Sequence, residues 1–106
     1  MTPGKLPLLI GVAWLACATA GHAQDAQALR TRSLAATCAQ CHGTDGHAIN
    51  AAALPGLAGL PASYLTDQMT AFKSGARTAT VMHQIARGYS DAQIEQLARY
   101  FAAQPK

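Results

Sequence analysis

Hydrophobic residues form one continuous run near the start of the chain. Residues 6–20 carry no charge, Lys5 precedes them, and a small-residue site ends at Ala23. The run is shorter than the ~20 apolar residues of a membrane-spanning helix, and the pattern is typical of a cleaved secretory signal peptide. We therefore predict a signal peptide over residues 1–23. An uncleaved membrane anchor and a lipoprotein attached through Cys17 are the alternatives.

The rest of the chain shows helical patterns and no convincing strand. Residues 26–37 are rich in Ala, Leu, Gln and Arg, most of which favour helices, so a first helix is predicted there. A second helix is predicted from Pro61 onward, with Gly75 as its stop signal. Its apolar positions recur at helical spacing: Leu65, Met69 and Phe72.

The last part of the chain carries the clearest helix start. Ser90 and Gln93 fit a capping box, and the positions that follow place apolar residues on one helix face. Residues 81–86 favour a shorter helical turn, whereas residues 43–62, rich in Gly and Pro, are predicted to form a long loop. The apolar face of the last helix contains Ile94, Leu97 and Phe101. The predicted fold class is therefore all-α.

The composition limits the chain to one small domain. It has 106 residues, of which 50% are hydrophobic and only 12% are charged, which excludes a large multidomain enzyme and a charge-rich disordered chain. Removal of residues 1–23 takes away Lys5 and no acidic residue, so the formal charge falls from +3 to +2. Because the basic residues are scattered singly, no nucleic-acid partner is expected. The remaining residues 24–106 need a cofactor or a covalent staple to complete a marginal core.

The candidate chemistry lies in the segment Cys38-Ala39-Gln40-Cys41-His42. Two thiols at this spacing, on the last turn of a helix, can attach to the two vinyl groups of one haem, and His42 is then placed as an axial iron ligand. The alternatives are a redox dithiol, half of a zinc site or a structural disulfide, and, for the function of the whole chain, a haem-free binding module with this CxxC motif. A redox dithiol normally accompanies a strand-containing fold, and zinc requires a second ligand pair at similar spacing.

The chain resembles the class I cytochromes c, the small haem domains of bacterial periplasmic electron transfer. The resemblance lies in four segments: residues 38–46 (CAQCHGTDG), 54–59 (LPGLAG), 72–75 (FKSG) and 90–101. Residues 82–90 (MHQIARGYS) are most similar to one branch, the cytochrome subunit of flavocytochrome c sulfide dehydrogenase. The resemblance implies a small class I cytochrome c fold, with helices wrapped around one haem c covalently bound through Cys38 and Cys41.

The resemblance also implies the residues that complete the site. It places the distal iron ligand at Met82, whereas Met69 is expected to fill the core. It places the acceptor for the second imidazole nitrogen of His42 at the carbonyl of Pro55, because an axial histidine usually donates there to fix its orientation. The alternative is that Pro55 only makes the loop rigid. The other histidines of residues 24–106 are expected at the surface, and His83 and His47 are alternative ligands.

The implied function is one-electron transfer in the periplasm. No nucleophile with a base, carboxylate pair or nucleotide loop is visible, so the chain is not expected to be an enzyme. A redox protein is the expected partner, in particular a sulfide-oxidising flavoprotein, and no stable membrane insertion is expected after signal cleavage. A haem sensor or a peroxidase-like enzyme with an open iron site is the alternative. Arg77 and Arg87 have two interpretations each: binding the haem propionates, or facing water.

Overall fold

The computed structural model describes residues 6–106, and it describes side chains from residue 21 onward. Most of the predicted signal peptide, residues 1–23, lies outside the part with described side chains, and it stays a prediction. The chain divides into two compact units, one ending at Arg30 and one covering Thr31–Lys106. In the first unit, residues 21–30 are helical and exposed.

Five α-helices and one short 3-10 turn make up the secondary structure of residues 6–106, with no strand among them. The helices are α1 (Leu6–Ala36), α2 (Ala39–His42), α3 (Ala62–Ser74), α4 (Met82–Arg87) and α5 (Asp91–Ala102), and the 3-10 turn is Thr44–Gly46. The predicted all-α fold is therefore confirmed, and the arrangement is consistent with a small class I cytochrome c fold.

Local signals account for the ends of α3 and α5. Helix α3 ends where Gly75 adopts a left-handed conformation with φ of 85°, and the backbone N–H of this glycine donates to Phe72 O. Helix α5 begins with the predicted capping box: the Gln93 backbone N–H donates to Ser90 Oγ, and the Ser90 backbone N–H donates to Gln93 Oε1. These helices lie where the sequence predicts them because their boundaries depend on neighbouring residues alone.

The core of the second unit lies where α1, α3 and α5 meet. Its buried members are Ala35, Leu65, Leu97, Ala98 and Phe101. Helix α5 contributes most of them, because its apolar positions repeat every three or four residues and form one continuous stripe. Outside the apolar core, Lys73 Nζ on α3 donates to Asp91 Oδ1 on α5 at 2.8 Å and to Tyr89 O at 2.8 Å. Helices α3 and α5 are thus joined by both apolar packing and an ion pair.

The long segment between α2 and α3 is irregular, as predicted, and is held by scattered backbone hydrogen bonds. Gly46 O accepts from the backbone N–H of Leu57 at 2.8 Å and of Ala58 at 3.2 Å, which closes the segment into a loop. Gly59 N donates to Phe101 O at 2.9 Å, which ties the loop to the end of α5. Few side chains of this loop contribute to the core, so its course depends on these individual bonds.

Two details of the first helical region differ from the prediction. The helix predicted over residues 26–37 is part of α1, which extends back to Leu6. Cys38 lies in the turn after α1 and is the N-cap of the short helix α2, rather than a residue on the last turn of one continuous helix. The turn at Cys38 was not predicted because helix propensity does not show where tertiary contacts turn the chain. Within the part of the chain that the structure describes, no helix has the length and apolar character needed to cross a bilayer.

Candidate cofactor site

A cavity of about 400 Å³ lies within the second unit, between the loop and the helices. Its lining is mainly apolar, and it includes the buried face of the core as well as the loop after the cysteines. Cofactor sites typically have volumes of ~300–1,000 Å³ and are lined by apolar residues with a few polar groups. The cavity therefore has the size and character of a site for a large, mostly apolar cofactor. The residues that carry its chemistry are Cys38, Cys41, His42, Met69, Arg77 and Met82.

His42 is the buried polar residue of the site, with only 9% of its surface exposed. Its backbone N–H donates to Cys38 O at 2.9 Å, which places the imidazole one helical turn after the first thiol. Its side-chain Nδ1 lies 2.7 Å from Pro55 O, which is the contact that the resemblance to class I cytochromes c implies. A carbonyl oxygen only accepts, so Nδ1 must carry the proton and Nε2 keeps a free lone pair. The imidazole is thereby in the tautomer that can bind a metal through Nε2.

The residue after His42 must be glycine for this geometry. Gly43 has φ of 82° and ψ of 161°, a conformation that is essentially restricted to glycine. A Cβ atom at this position would lie 1.8 Å from His47 O. The sharp turn at Gly43 lets the loop begin immediately after His42.

Cys38 and Cys41 are free thiols that both line the cavity. Burial raises the pKa of the Cys38 thiol, and its contact with the Thr37 hydroxyl, at 3.9 Å, opposes that rise in part. The same hydroxyl lies 2.7 Å from Tyr89 Oη, so the turn that carries the first cysteine is joined to the segment before α5. Two thiols and one imidazole are thus presented to the same apolar space.

Both methionines of the second unit line this cavity. Met82 is the first residue of α4, and Met69 lies in the middle of α3. The expectation that Met69 fills the core is not met, because it is half-buried and lies outside the cluster of core residues. The sequence pattern placed Met69 correctly on an apolar helix face, but it did not show that this face borders a cavity. Met82 as the distal iron ligand stays a prediction.

The other two histidines of the second unit are not simply surface residues. His47 is exposed, yet its Nε2 lies 2.7 Å from Pro105 O and its Nδ1 lies 3.2 Å from Thr44 O. His83 is half-buried, and its Nδ1 is buried without a hydrogen-bond partner, contrary to the expectation of a solvated side chain. Neither of them lines the cavity.

The donor set fits a covalently attached haem. Two thiols supply attachment points, one imidazole supplies an iron ligand, and the apolar lining suits the porphyrin ring. A structural zinc site would instead need about four clustered His, Cys or acidic ligands. Among the described residues, no group of three or more such side chains is arranged to hold a metal ion.

The fold and this donor set together define a small helical protein built around one cofactor. The cytochrome c family model matches residues 28–104, most of the chain, and the chain belongs to the cytochrome c family. Membership implies a covalent c-type haem, and the CxxCH arrangement of Cys38, Cys41 and His42 is the attachment motif that such a haem requires.

Several curated proteins are similar to this chain. A thiosulfate dehydrogenase electron acceptor of Stutzerimonas stutzeri is 38% identical over 92% of the chain and 47% of the relative. A cytochrome subunit of sulfide dehydrogenase of Chlorobaculum tepidum is 39% identical over 68% of the chain and 64% of the relative. A cytochrome c4 of Pseudomonas aeruginosa is 40% identical over 94% of the chain and 46% of the relative. The chain thus spans between about half and two thirds of the length of these relatives.

Sequence reasoning missed three features of the site. It did not anticipate the link between Thr37 and Tyr89, the position of Met69 at the cavity, or the contact between Arg77 and Gln68. The spacing of Gln68 and Phe72 on one face of α3, one helical turn apart, is the only signal that pointed to the last of these.

Proposed function

We propose that this chain is a one-electron carrier of the periplasm, with one haem c attached through Cys38 and Cys41. The observation that carries the proposal is the convergence of both thiols and the buried His42 on one apolar cavity. A c-type haem supplies reversible one-electron chemistry at its iron. The protein's part is to hold the cofactor, exclude water from it and set its ligands.

The proposed iron ligands are His42 and Met82. His42 is oriented by its hydrogen bond to Pro55 O, which leaves Nε2 as the nitrogen that binds iron. Met82 begins α4 and lines the same cavity. A thioether ligand favours the reduced iron and raises the reduction potential, which suits an acceptor of electrons from a dehydrogenase.

The proposed electron donor is a flavoprotein that oxidises sulfide. Support comes from the relative that is the cytochrome subunit of sulfide dehydrogenase, whose similarity covers 68% of this chain. Other relatives are electron acceptors of thiosulfate dehydrogenase, which makes that class of enzyme the second candidate donor. In both cases the chain accepts electrons and does not itself catalyse the oxidation.

The proposed docking face is the loop over residues 51–60. This segment contains no charged residue, and Leu54 on it both lines the cavity and is 41% exposed. Transient redox complexes have small interfaces, and with a formal charge near zero once the haem carboxylates are counted, long-range steering contributes little. Apolar contact at this loop is therefore the expected mode of docking.

Periplasmic localisation is part of the proposal, with residues 1–23 as the signal peptide and residues 24–106 as the monohaem domain. One support is the uncharged run over residues 6–20, which is typical of a signal peptide. The other is the haem motif, because the class I cytochromes c that the chain resembles are exported proteins. Mass spectrometry of protein isolated from the periplasm tests both parts. The expected product begins at Gln24 and carries the added mass of one haem.

Absorption spectroscopy tests the haem and its ligands. The pyridine haemochrome spectrum of periplasmic protein should be that of a haem with two thioether bonds, and a spectrum without haem would overturn the carrier function. The ferric protein should show the near-infrared sulfur-to-iron band. Met82→Leu should abolish this band and open the iron to carbon monoxide, whereas the matched variant Met69→Leu should retain it. A wild-type protein that already binds carbon monoxide freely would favour the sensor or peroxidase-like alternative.

Mild purification from the native periplasm tests the donor. A stoichiometric flavin-containing subunit that reduces this haem with sulfide would support the proposed complex. A cytochrome that is reduced only through a thiosulfate-oxidising enzyme would support the second candidate. A lone cytochrome that accepts electrons from neither would contradict both.

A further inference from the structure

The cavity contains one permanently charged side chain, that of Arg77. Among the described residues that line it, no aspartate, glutamate or lysine is present. A c-type haem introduces two carboxylates, the propionates, into a space that is otherwise apolar. Because a carboxylate near an apolar surface is costly without a compensating partner, the position of this arginine requires an explanation.

Arg77 is held against α3 by one backbone contact and two side-chain contacts. Its backbone N–H donates to Ala71 O at 3.1 Å, which folds the chain back over the last turn of the helix. Its guanidinium carbon lies 4.6 Å from the centroid of the Phe72 ring, within the range of a cation–π interaction. Its Nη1 donates to Gln68 Oε1. All three partners belong to α3, so the guanidinium is positioned by one rigid element.

These contacts leave the guanidinium able to bind a carboxylate. The Gln68 amide takes one of the five N–H donors, and the Phe72 ring takes none. The ion pairs among the described residues join Lys73 to Asp91 and Arg99 to Glu95, so neither involves Arg77. Arg77 both lines the cavity and is exposed to solvent, so this residue lies at the mouth of the cavity.

Arg87 provides the contrast within the same chain. It lies in the last turn of α4, it is exposed, and it does not line the cavity. The two arginines carry the same charge and occur in the same unit, but only one of them faces the cofactor space. The sequence allowed the same two roles for both arginines, whereas the structure places only Arg77 at the cavity.

We propose that Arg77, positioned by Gln68 and Phe72, binds a propionate carboxylate of the haem at the mouth of the cavity. This inference rests on the proposed function, because it requires the covalent haem. Arg77 would then bind the propionate edge of the haem. This role differs from that of the thiols, which attach the haem, and from that of the ligands, which bind its iron. The planar guanidinium can form two parallel hydrogen bonds with one carboxylate, which a lysine cannot do.

The direct test is nuclear magnetic resonance of the ferrous wild-type holoprotein, in which the iron is diamagnetic. Cross-peaks between the guanidinium protons of Arg77 and the methylene protons of one propionate are expected. Their absence from a spectrum in which the Arg77 protons are assigned would overturn the proposal. The pyridine haemochrome spectrum of the same sample separates this result from a failure of the proposed function. Protein without haem overturns both, whereas protein with haem but without these cross-peaks overturns only the inference.

The second test compares Arg77→Gln with Arg87→Gln, which remove the same charge at two places. Without Arg77, the propionate carboxylate should bind its proton about tenfold more tightly. The pH range over which the reduction potential changes should therefore lie about one unit higher in Arg77→Gln than in the wild type. Arg87→Gln should leave the pH profile unchanged, and Arg77→Lys should restore it in part. Identical profiles for the wild type and both glutamine variants would contradict the proposal.

Discussion

The loop over residues 43–61 and the pair of helices α3 and α5 hold the cavity from two sides by different physical means. The helix pair buries a continuous apolar stripe and is tied by the ion pair between Lys73 and Asp91. The loop has no regular structure beyond the 3-10 turn and depends on single hydrogen bonds, among them the bond from His42 to Pro55 O. Apolar packing is distributed over many contacts, whereas the loop concentrates its stability in a few groups.

The comparison shows why the proposed iron ligand, His42, is oriented by the loop rather than by the helix pair. A ligand needs a fixed direction, and one hydrogen bond from Nδ1 to a carbonyl supplies it. The helix side supplies apolar volume, with the buried Leu65, Leu97 and Phe101 also lining the cavity. In the proposed haem protein, the helix pair packs its apolar side chains against the cofactor. The loop instead fixes the direction of a ligand to the cofactor. Variants that change the cofactor, the loop and the helices one at a time separate these two roles.

The largest effect is expected when the haem cannot attach. In the double variant Cys38→Ala/Cys41→Ala, both sides of the cavity lose the body around which they pack, and a domain of this size has little core to replace it. Most of the helical signal in far-ultraviolet circular dichroism should disappear. Gln40→Ala, an exposed change between the two cysteines, is the control and should retain it. A helix pair that remains folded without haem would show that α3 and α5 are self-sufficient.

The next largest effect is expected from alanine substitution of a glycine with positive φ in the loop, compared with the same substitution at the end of α3. Gly43→Ala places a Cβ 1.8 Å from His47 O, whereas Gly75→Ala meets nothing within 4 Å. The helix-end variant should lose only the cost of the left-handed conformation, about 1–2 kcal/mol in the free energy of unfolding. The loop variant should lose several times more or fail to retain haem, as measured by denaturant unfolding. Equal losses at the two positions would mean that the loop is as tolerant as the helix end.

A smaller effect is expected at the start of α5. Ser90→Ala removes the side-chain acceptor of the Gln93 N–H and should lower the free energy of unfolding by about 1 kcal/mol. Ser63→Ala, an exposed change inside α3, is the matched control and should change stability by less than about 0.5 kcal/mol. Because the capping box acts on one helix alone, the reduction potential should not change in either variant. A shift in potential in Ser90→Ala would show that this helix end is coupled to the cofactor.

The smallest effect concerns the one side-chain hydrogen bond that joins α5 to the loop. Tyr100 Oη donates to Asp45 Oδ1, and this bond to a carboxylate, with burial as the second cause, raises the pKa of Tyr100. The bond therefore stabilises the fold fully below the ordinary tyrosine pKa of about 10, and its contribution is lost as the pH rises through the higher folded-state value.

Because this bond is only partly buried, Tyr100→Phe should cost about 0.5 kcal/mol at neutral pH, and the difference from the wild type should shrink above about pH 10. Unfolding by denaturant across this pH range measures the effect. Tyr64→Phe, which removes the hydroxyl of an exposed tyrosine, is the control and should change stability by less than about 0.5 kcal/mol. A pH-independent difference for Tyr100→Phe would contradict the assigned role of the carboxylate.

The sequence by itself determined the helices and the attachment motif. Helix α5 could be predicted from Ser90 and Gln93, and the end of α3 from Gly75, because caps and periodicity are properties of residues close together in the chain. The CxxCH segment likewise carries its chemistry within five residues. The predicted class of protein follows from these local signals together with the resemblance that they carry.

The tertiary structure decided which of these residues face the cofactor space. It placed Met69 on the cavity rather than in the core, and it brought Arg77 to the mouth of the cavity while leaving Arg87 away from it. It also ended α1 at Ala36, so that Cys38 lies in a turn. Such outcomes depend on how the loop and the helices close around a common space, and contacts between residues far apart in the chain leave no periodic signal in the sequence.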